Sequence, residues 1–370
     1  MTDRPLRLLI VTPRYDPLTG GVETHVREVA RRVAALGANV TVLTTDPSRT
    51  LATSEERDGV RIHRLPAWPR DGDLYWAPGI RGFVRRSAWD VVHCQGIHTF
   101  VAPLAMLAAW RRIPFVVTFH TGGHSSTLRH RLRTLQWLAL VPLLRRAARL
   151  VAVSRFEADL FARLPGLGPD AIEVIPNGAD PLPMPVPPPS VDPQLVLSIG
   201  RLERYKGHQR AIAALPELAR SRAGIHLRIV GSGPYEAELR RTAGRLGVSE
   251  RVEIGPVASA DREAMAATLA RAGVVVLLSD YEAHPLAVME ALAMGRPVVG
   301  TDSTGLHELV EQGLIAPVSP TALPAEIAAA IQRQLDAPAR LPVHLPSWDD
   351  RVAALMDLYR TVREEAACGS

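Results

Sequence analysis

A single lysine, Lys206, occurs in a chain of 370 residues whose other permanently charged cationic side chains are arginine. It lies in the string GRLERYKG, residues 200–207, five positions after Arg201. A planar guanidinium grips an oxyanion through paired N–H donors, and a compact ammonium acts on it as a point charge. Arg201 and Lys206 therefore read as an anion clamp, and the one lysine marks a place where a compact cation is wanted. Further along, Glu282 and Glu290 stand in YEAHPLAVMEALAMGRPVVGT, residues 281–301. Carboxylates beside an anion site would repel phosphate, so these two suit hydroxyl groups as hydrogen-bond acceptors. Gly20 with Gly21, His120 before a glycine pair, and Gly231 with Gly233 complete the residues whose types and places suggest ligand chemistry.

Those residues need elements that deliver them to one edge. Residues 274–278 are an unbroken apolar run that reads as a buried strand, and 298–300 begin the next. Between them Leu286, Met289, Leu292 and Ala293 recur at helical spacing, Pro285 suits a first helical position, and Gly295 with Pro297 supplies the stop. Glu282 thus falls on a strand tip and Glu290 about two turns into a helix. In open α/β sheets ligands gather at the carboxyl ends of strands, where helix N-termini favour anions. The same order recurs elsewhere. Residues 6–12 form a strand, Gly20 and Gly21 a loop, and Val22, Val26, Val29 and Val33 a helix running to Gly37. Residues 114–119 form a strand that ends on His120, and 195–199 one that ends on Gly200. Further strands are read at 40–45, 60–65, 88–93, 150–153, 172–175, 226–230, 251–255 and 314–318. A closing helix is read at 348–364.

The chain is long enough for two domains, each with its own core. At 47% hydrophobic and 22% charged residues it is globular, which excludes disorder. Cys94 and Cys368 are too few for a disulfide framework and fit a reducing compartment. The start passes from charge directly into a strand-length run, which predicts no secretory leader. The longest apolar run, 135–144, contains Gln136 and Pro142 and is too short to span a bilayer. Net charge is +5, but the arginines are scattered, which argues against a nucleic-acid partner. The arginine-flanked stretch 128–150 reads either as a packed helix or as one lying on an anionic membrane. The proline-rich segment after Asp180 favours extended backbone and reads as a linker.

Other residue groupings carry weaker signals. Asp71 and Asp73 have D-x-D spacing but sit in a turn-rich loop without a strand behind it. His93, Cys94 and His98 cluster at a strand end and admit either a metal or a cleft-lining reading. A dinucleotide fingerprint at Gly231 and Gly233 would need a third glycine where Glu236 stands, so a nicotinamide cofactor is excluded.

With these residues in view, the chain resembles the retaining nucleotide-sugar glycosyltransferases of family 4. The resemblance rests on E-x7-E at Glu282 and Glu290, on G-R-L-x-x-x-K-G at 200–207, on V-G-x-G-P at 230–234, on P-N-G-x-D at 176–180 and on the glycine loop at Gly20 and Gly21. It departs where Ala283 and His284 replace the common Gly and Phe. The resemblance implies an α/β GT-B fold, two Rossmann-like domains facing across a cleft. It divides the chain into an acceptor domain (1–180), a linker (181–193), a donor domain (194–346) and a C-terminal helix (347–370) that crosses back to the first domain. It also implies transfer from a UDP- or GDP-sugar to a hydroxyl acceptor, without cofactor or metal, in the cytoplasm or at the inner membrane face. His120, Glu282, Arg201 and Lys206 would be catalytic. Gly20, Gly21, Gly231, Gly233, Val257, Ala283, His284, Pro285, Leu286 and Glu290 would bind the donor with Arg201, Lys206 and Glu282. Same-fold alternatives are an epimerase, a sugar phosphorylase or a non-catalytic nucleotide-sugar binder.

Overall fold

The computed structural model describes residues 4–18, 20–69, 75–121, 127–257, 261–338 and 341–368. The chain divides into two compact units. The first takes the residues up to Thr121, Leu128–Gly178 and the chain from Ser347 onward, and the second takes Ala179–Pro346.

In the first unit the strands are β1 (Arg7–Val11), β2 (Asn39–Asp46), β3 (Ser54–Arg57), β4 (Val60–Pro66), β5 (Val91–Gln95), β6 (Phe115–Thr118), β7 (Arg149–Ala152) and β8 (Ile172–Val174). Their helices are α1 (Gly21–Ala35), α2 (Gly79–Arg86), α3 (Val101–Ala109), α4 (Thr127–Leu144) and α5 (Arg155–Ala162). The sheet order is β3-β4-β2-β1-β5-β6-β7-β8. All pairings are parallel except β3 with β4. Strand side chains alternate between faces. Leu9, Val11, Val92, Cys94 and Val117 share one core with α2 to α5, which sends His93 and Gln95 to the other face.

The second unit holds β9 (Asp192–Ile199), β10 (His226–Val230), β11 (Val252–Gly255), β12 (Ala272–Leu277), β13 (Val298–Thr301) and β14 (Ala316–Val318). Its helices are α6 (His208–Ser221), α7 (Glu236–Arg245), α8 (Arg262–Arg271), α9 (Leu286–Ala293), α10 (Thr304–Glu311) and α11 (Pro324–Asp336). Six parallel strands run in the order β11-β10-β9-β12-β13-β14. Val196, Ile229 and Val276 pack with α6, α7 and α11 on one face. Leu197, Val275 and Val298 pack with α8, α9 and α10 on the other. A parallel sheet covered on both faces needs near-continuous apolar strands, the pattern these runs show.

The last helix, α12 (Trp348–Cys368), returns to the first unit. It packs beside α1 and β5, with Arg32 Nε donating to Asp349 Oδ1 at 2.7 Å. The proline-rich stretch is not a bare spacer. Ala179 and Leu182 are buried in the second unit's core, and β9 already includes Asp192 and Pro193, because apolar side chains in that stretch find a place to pack. Among the described residues no helix is long and apolar enough to cross a membrane.

Candidate functional site

In the second unit every strand is parallel, so the loops after β9, β10, β12 and β13 emerge at one end. The loop after β9 makes a 3-10 turn over Arg204–Lys206. Gly207 follows with φ 75°, and a Cβ there would lie 1.9 Å from the Leu278 carbonyl oxygen. The turn therefore needs glycine. The Asp280 N–H donates to the Tyr205 carbonyl at 2.7 Å, tying this loop to the one after β12.

That tie brings three of the expected residues together. Lys206 Nζ donates to Glu282 Oε1 at 2.6 Å, with the two side chains 16% and 9% exposed. Ser279 Oγ donates to the same carboxylate oxygen at 2.7 Å, and the Glu282 N–H donates to Thr304 Oγ1 at 3.0 Å. Arg201 Nη2 donates to the Tyr205 hydroxyl at 2.8 Å, and Lys206 Nζ lies 5.4 Å from the centre of that ring. Burial works most strongly against the Lys206 ammonium, but the Glu282 carboxylate and Tyr205 together raise its pKa above the ordinary lysine value. The ammonium is thus held charged at the carboxyl edge of the sheet.

Other positions frame this centre. A Cβ on Gly231 would lie 1.9 Å from the Gly200 carbonyl oxygen, so the turns after β9 and β10 are packed backbone against backbone. Gly233 sits against Leu202, whose N–H donates to the Ser232 carbonyl. Val257 follows β11 and is half-buried against the core. Ala283 is buried between β12 and α9, and His284 and Pro285 lead into the helix, which begins at Leu286. Pro285 is the residue before the helix rather than its first, since its ψ of 108° is extended. Glu290 is engaged by Arg262, with Nη2 to Oε1 at 2.6 Å.

In the first unit Gly20 and Gly21 open α1. His120 follows β6 with φ 48°, a left-handed conformation that non-glycine residues adopt chiefly under local constraint. Its Nε2 meets Gln95 Oε1 at 2.7 Å, and its ring packs edge-on against His25 at 4.5 Å. Glu157 holds the next residue. One carboxylate oxygen accepts from the Thr121 N–H and hydroxyl, both at 2.6 Å, and the other from the Val153 N–H at 3.0 Å. His93 is fully buried, with Nδ1 2.6 Å from the Tyr359 hydroxyl and Nε2 2.8 Å from Thr118 Oγ1. Both ring nitrogens are engaged, which favours a packing role over metal ligation. Among the described residues no three His, Cys, Asp or Glu side chains converge as a metal site. Burial pulls the pKa of His25 down to about 4 and of His93 to about 3, and lowers that of His120 well below its usual value. Asp71, Gly72 and Asp73, and the pair Gly122 and Gly123, lie outside the described residues.

Several participants were not read from the sequence. Ser279 and Thr304 belong to the Glu282 network, and His208 bridges Ser198 Oγ at 2.8 Å and the Arg201 carbonyl at 3.2 Å. Glu157 had a local signal: Ser154 to Glu157 spell the S-x-x-E of a capping box, and Ser154 Oγ accepts from the Glu157 N–H. His25 and Arg262 had none.

Comparison with known proteins gives the same direction along the whole chain. Residues 19–181 match the sequence profile of Glycosyltransferase Family 4, and residues 184–344 match that of Glycosyl transferases group 1. The chain is 32% identical over 365 residues to a glycogen synthase of Mycobacterium tuberculosis, covering 90% of this chain and 87% of that protein. It is 29% identical over 301 residues to a GDP-mannose:cellobiosyl-diphosphopolyprenol alpha-mannosyltransferase of Xanthomonas campestris, covering 78% and 77%. Among solved structures, HepE of Anabaena in complex with UDP and glucose matches with a TM-score of 0.69 at 19% identity, covering 98% of both chains.

Proposed function

The chain belongs to glycosyltransferase family 4, and from that premise we propose that it moves a sugar from a nucleoside diphosphate donor to a hydroxyl acceptor, with retention at the anomeric carbon and without a metal ion. The observation that carries this reading is the part-buried ion pair of Lys206 and Glu282 at the carboxyl edge of the second unit's sheet.

As the glycosidic bond breaks, negative charge builds on the departing diphosphate. Fixed cations already in place stabilise it without reorganisation. Lys206 carries three N–H donors, so it can meet a phosphate oxygen while still touching Glu282. Arg201 adds a guanidinium from the same loop. Glu282 in turn balances the ammonium and offers carboxylate oxygen to sugar hydroxyls, and Glu290, shared with Arg262, suits ribose hydroxyls. The acceptor proton passes to the departing phosphate as the new bond forms on the same face. A UDP- or GDP-sugar is the donor we favour, since the names of the mannosyltransferase and HepE include those two bases.

The test is a thermal-shift panel of UDP, GDP, ADP and TDP and their sugars. One base should raise the melting temperature, because a ligand at 100 times its Kd adds about 2.7 kcal/mol to the folded state. That shift should shrink in Lys206→Ala. No shift with any nucleotide, or an unchanged shift in the variant, would overturn the reading. NMR of the product's anomeric proton checks retention, and turnover in excess EDTA checks metal independence. We further place the enzyme in the cytoplasm; α4 packs into the first unit's core through Trp137, Leu140, Val141 and Leu144, and peripheral contact with anionic lipid is the second reading of that helix. Leu135 and Leu138 stand exposed on that helix, with Arg145 and Arg146 just beyond its end. Flotation with phosphatidylglycerol vesicles at low salt decides this point.

A further inference from the structure

Three large aromatic rings stand in water at the carboxyl end of the first unit's sheet. Trp68 follows β4, Trp76 leads into α2 and Phe100 precedes α3, and they are 44%, 47% and 47% exposed. Single exposed apolar residues are ordinary, whereas several in contact mark a binding surface. Two of these rings touch, and the third is paired to them through the backbone. Trp68 and Trp76 exchange both backbone hydrogen bonds, at 3.0 and 2.7 Å, which places their side chains on the same side of a two-stranded ribbon. The Trp76 and Phe100 rings lie 6.0 Å apart at 79°.

The ribbon is a built platform. Its residues alternate, with Ala67, Tyr75 and Ala77 buried in the core beneath while Trp68 and Trp76 face out. Arg14 Nε, from the loop after β1, donates to the Tyr75 hydroxyl at 2.9 Å and holds the ribbon to the sheet. The Arg49 guanidinium lies 4.8 Å over the Trp68 ring.

We propose that this shelf binds a saccharide and that the acceptor is a glycan whose pyranose rings stack on Trp76, Phe100 and Trp68. A pyranose has an apolar C–H face that rests on an aromatic ring and a rim of hydroxyls that needs polar partners. A shelf of rings ending in a guanidinium supplies both. A lipid surface would ask for a flat apolar face, and two rings meeting at 79° make a corner instead. The shelf shares its end of the sheet with Gly20, Gly21 and His120, where ligands of open α/β sheets collect. The word acceptor rests on the glycosyl-transfer reading, whereas saccharide binding by the shelf does not.

The test uses the full chain, titrated by calorimetry with maltotriose and with cellotriose. At least one should bind. Trp76→Ala and Phe100→Ala should each weaken it about five- to tenfold, and Trp76→Phe should restore most of the loss. The first unit's own melting transition should be unchanged in all three variants, which shows that they are folded, and the nucleotide-induced shift of the second unit should be unchanged as well, which separates the two readings. Failure of that shift in the native chain strikes the donor assignment alone. The shelf proposal falls if neither trisaccharide binds, or if binding is indifferent to both alanine variants. It falls equally if the variants abolish binding to phosphatidylglycerol vesicles while no trisaccharide binds, which would assign the rings to lipid.

Discussion

Lys206 is the residue on which the proposed chemistry turns. Its ammonium is partly buried, paired and held charged beside Glu282. Removing one preorganised group that stabilises charge in the transition state costs on the order of 10²-fold or more in turnover. We expect Lys206→Ala to lose about that factor in kcat, and Lys206→Arg not to recover it, because a planar fork does not replace a compact donor in this turn. Steady-state rates with the donor found by thermal shift check this, and near-normal turnover in the alanine variant would remove Lys206 from catalysis. A second expectation concerns the buried histidines. His25 and His93 have folded pKa values of about 4 and about 3, depressed by burial from 6.5. A depressed histidine stays neutral in the folded state while the unfolded chain takes up a proton, so its contribution is full above 6.5 and is lost as pH falls toward the folded value. Each such proton costs about 1.4 kcal/mol per pH unit in that window. The urea midpoint of the first unit should therefore drop steeply from pH 6.5 to 4 and stay level from 7 to 8. A flat profile across the acid window would mean these rings are not held neutral.

Elements differ in how openly the sequence announces them. The apolar strands β1, β5, β9 and β12 are plain in the composition of their runs, and Lys206, Arg201 and Glu282 were readable because they sit at the ends of such runs. The polar strand β3 has no apolar signal, since SEER pairs antiparallel at the sheet edge and is mostly exposed. Helix α2, GIRGFVRR, hides behind two glycines. The histidine cluster was illegible for a different reason. His25 meets Asn177 across 152 positions and His93 meets Tyr359 across 266, and no local pattern encodes such pairs. The glycines give an element-scale test that separates fold from function. Gly231 is fixed by packing, because any Cβ there strikes the Gly200 carbonyl. Gly231→Ala should destabilise the second unit by roughly 1–3 kcal/mol and weaken nucleotide binding with it. Gly21 meets nothing within 4 Å and opens a helix, so alanine fits the fold and slightly favours it. Gly21→Ala should keep its melting temperature while kcat/KM falls, since only an approaching ligand would need the missing methyl group. Unchanged kcat/KM would make this glycine pair an ordinary turn.

At the scale of the molecule, the first unit is not finished until the end of the chain returns to it. The polypeptide leaves that unit after Gly178 and rejoins it at Ser347. A Cβ on Gly178 would lie 2.4 Å from the Trp348 Cα, so the departing and returning segments cross in direct backbone contact. Helix α12 then buries Trp348, Val352, Leu355, Met356, Leu358, Tyr359 and Val362. At roughly 1.5–3 kcal/mol for each such side chain, that burial amounts to about 10 kcal/mol or more. A domain's whole net stability is about 5–15 kcal/mol. It follows that the second unit can be complete in sequence before the first is complete in structure. A chain stopped at Pro346 should keep the melting transition that responds to nucleotide and lose the cooperative transition of the first unit. Tyr359→Phe is the control. It removes only the 2.6 Å contact with His93 and should cost about 1 kcal/mol, leaving both transitions in place. Calorimetric melts of the two variants with and without nucleotide decide between them. Two intact transitions in the truncated chain would show that α12 is an ornament on a unit already able to fold.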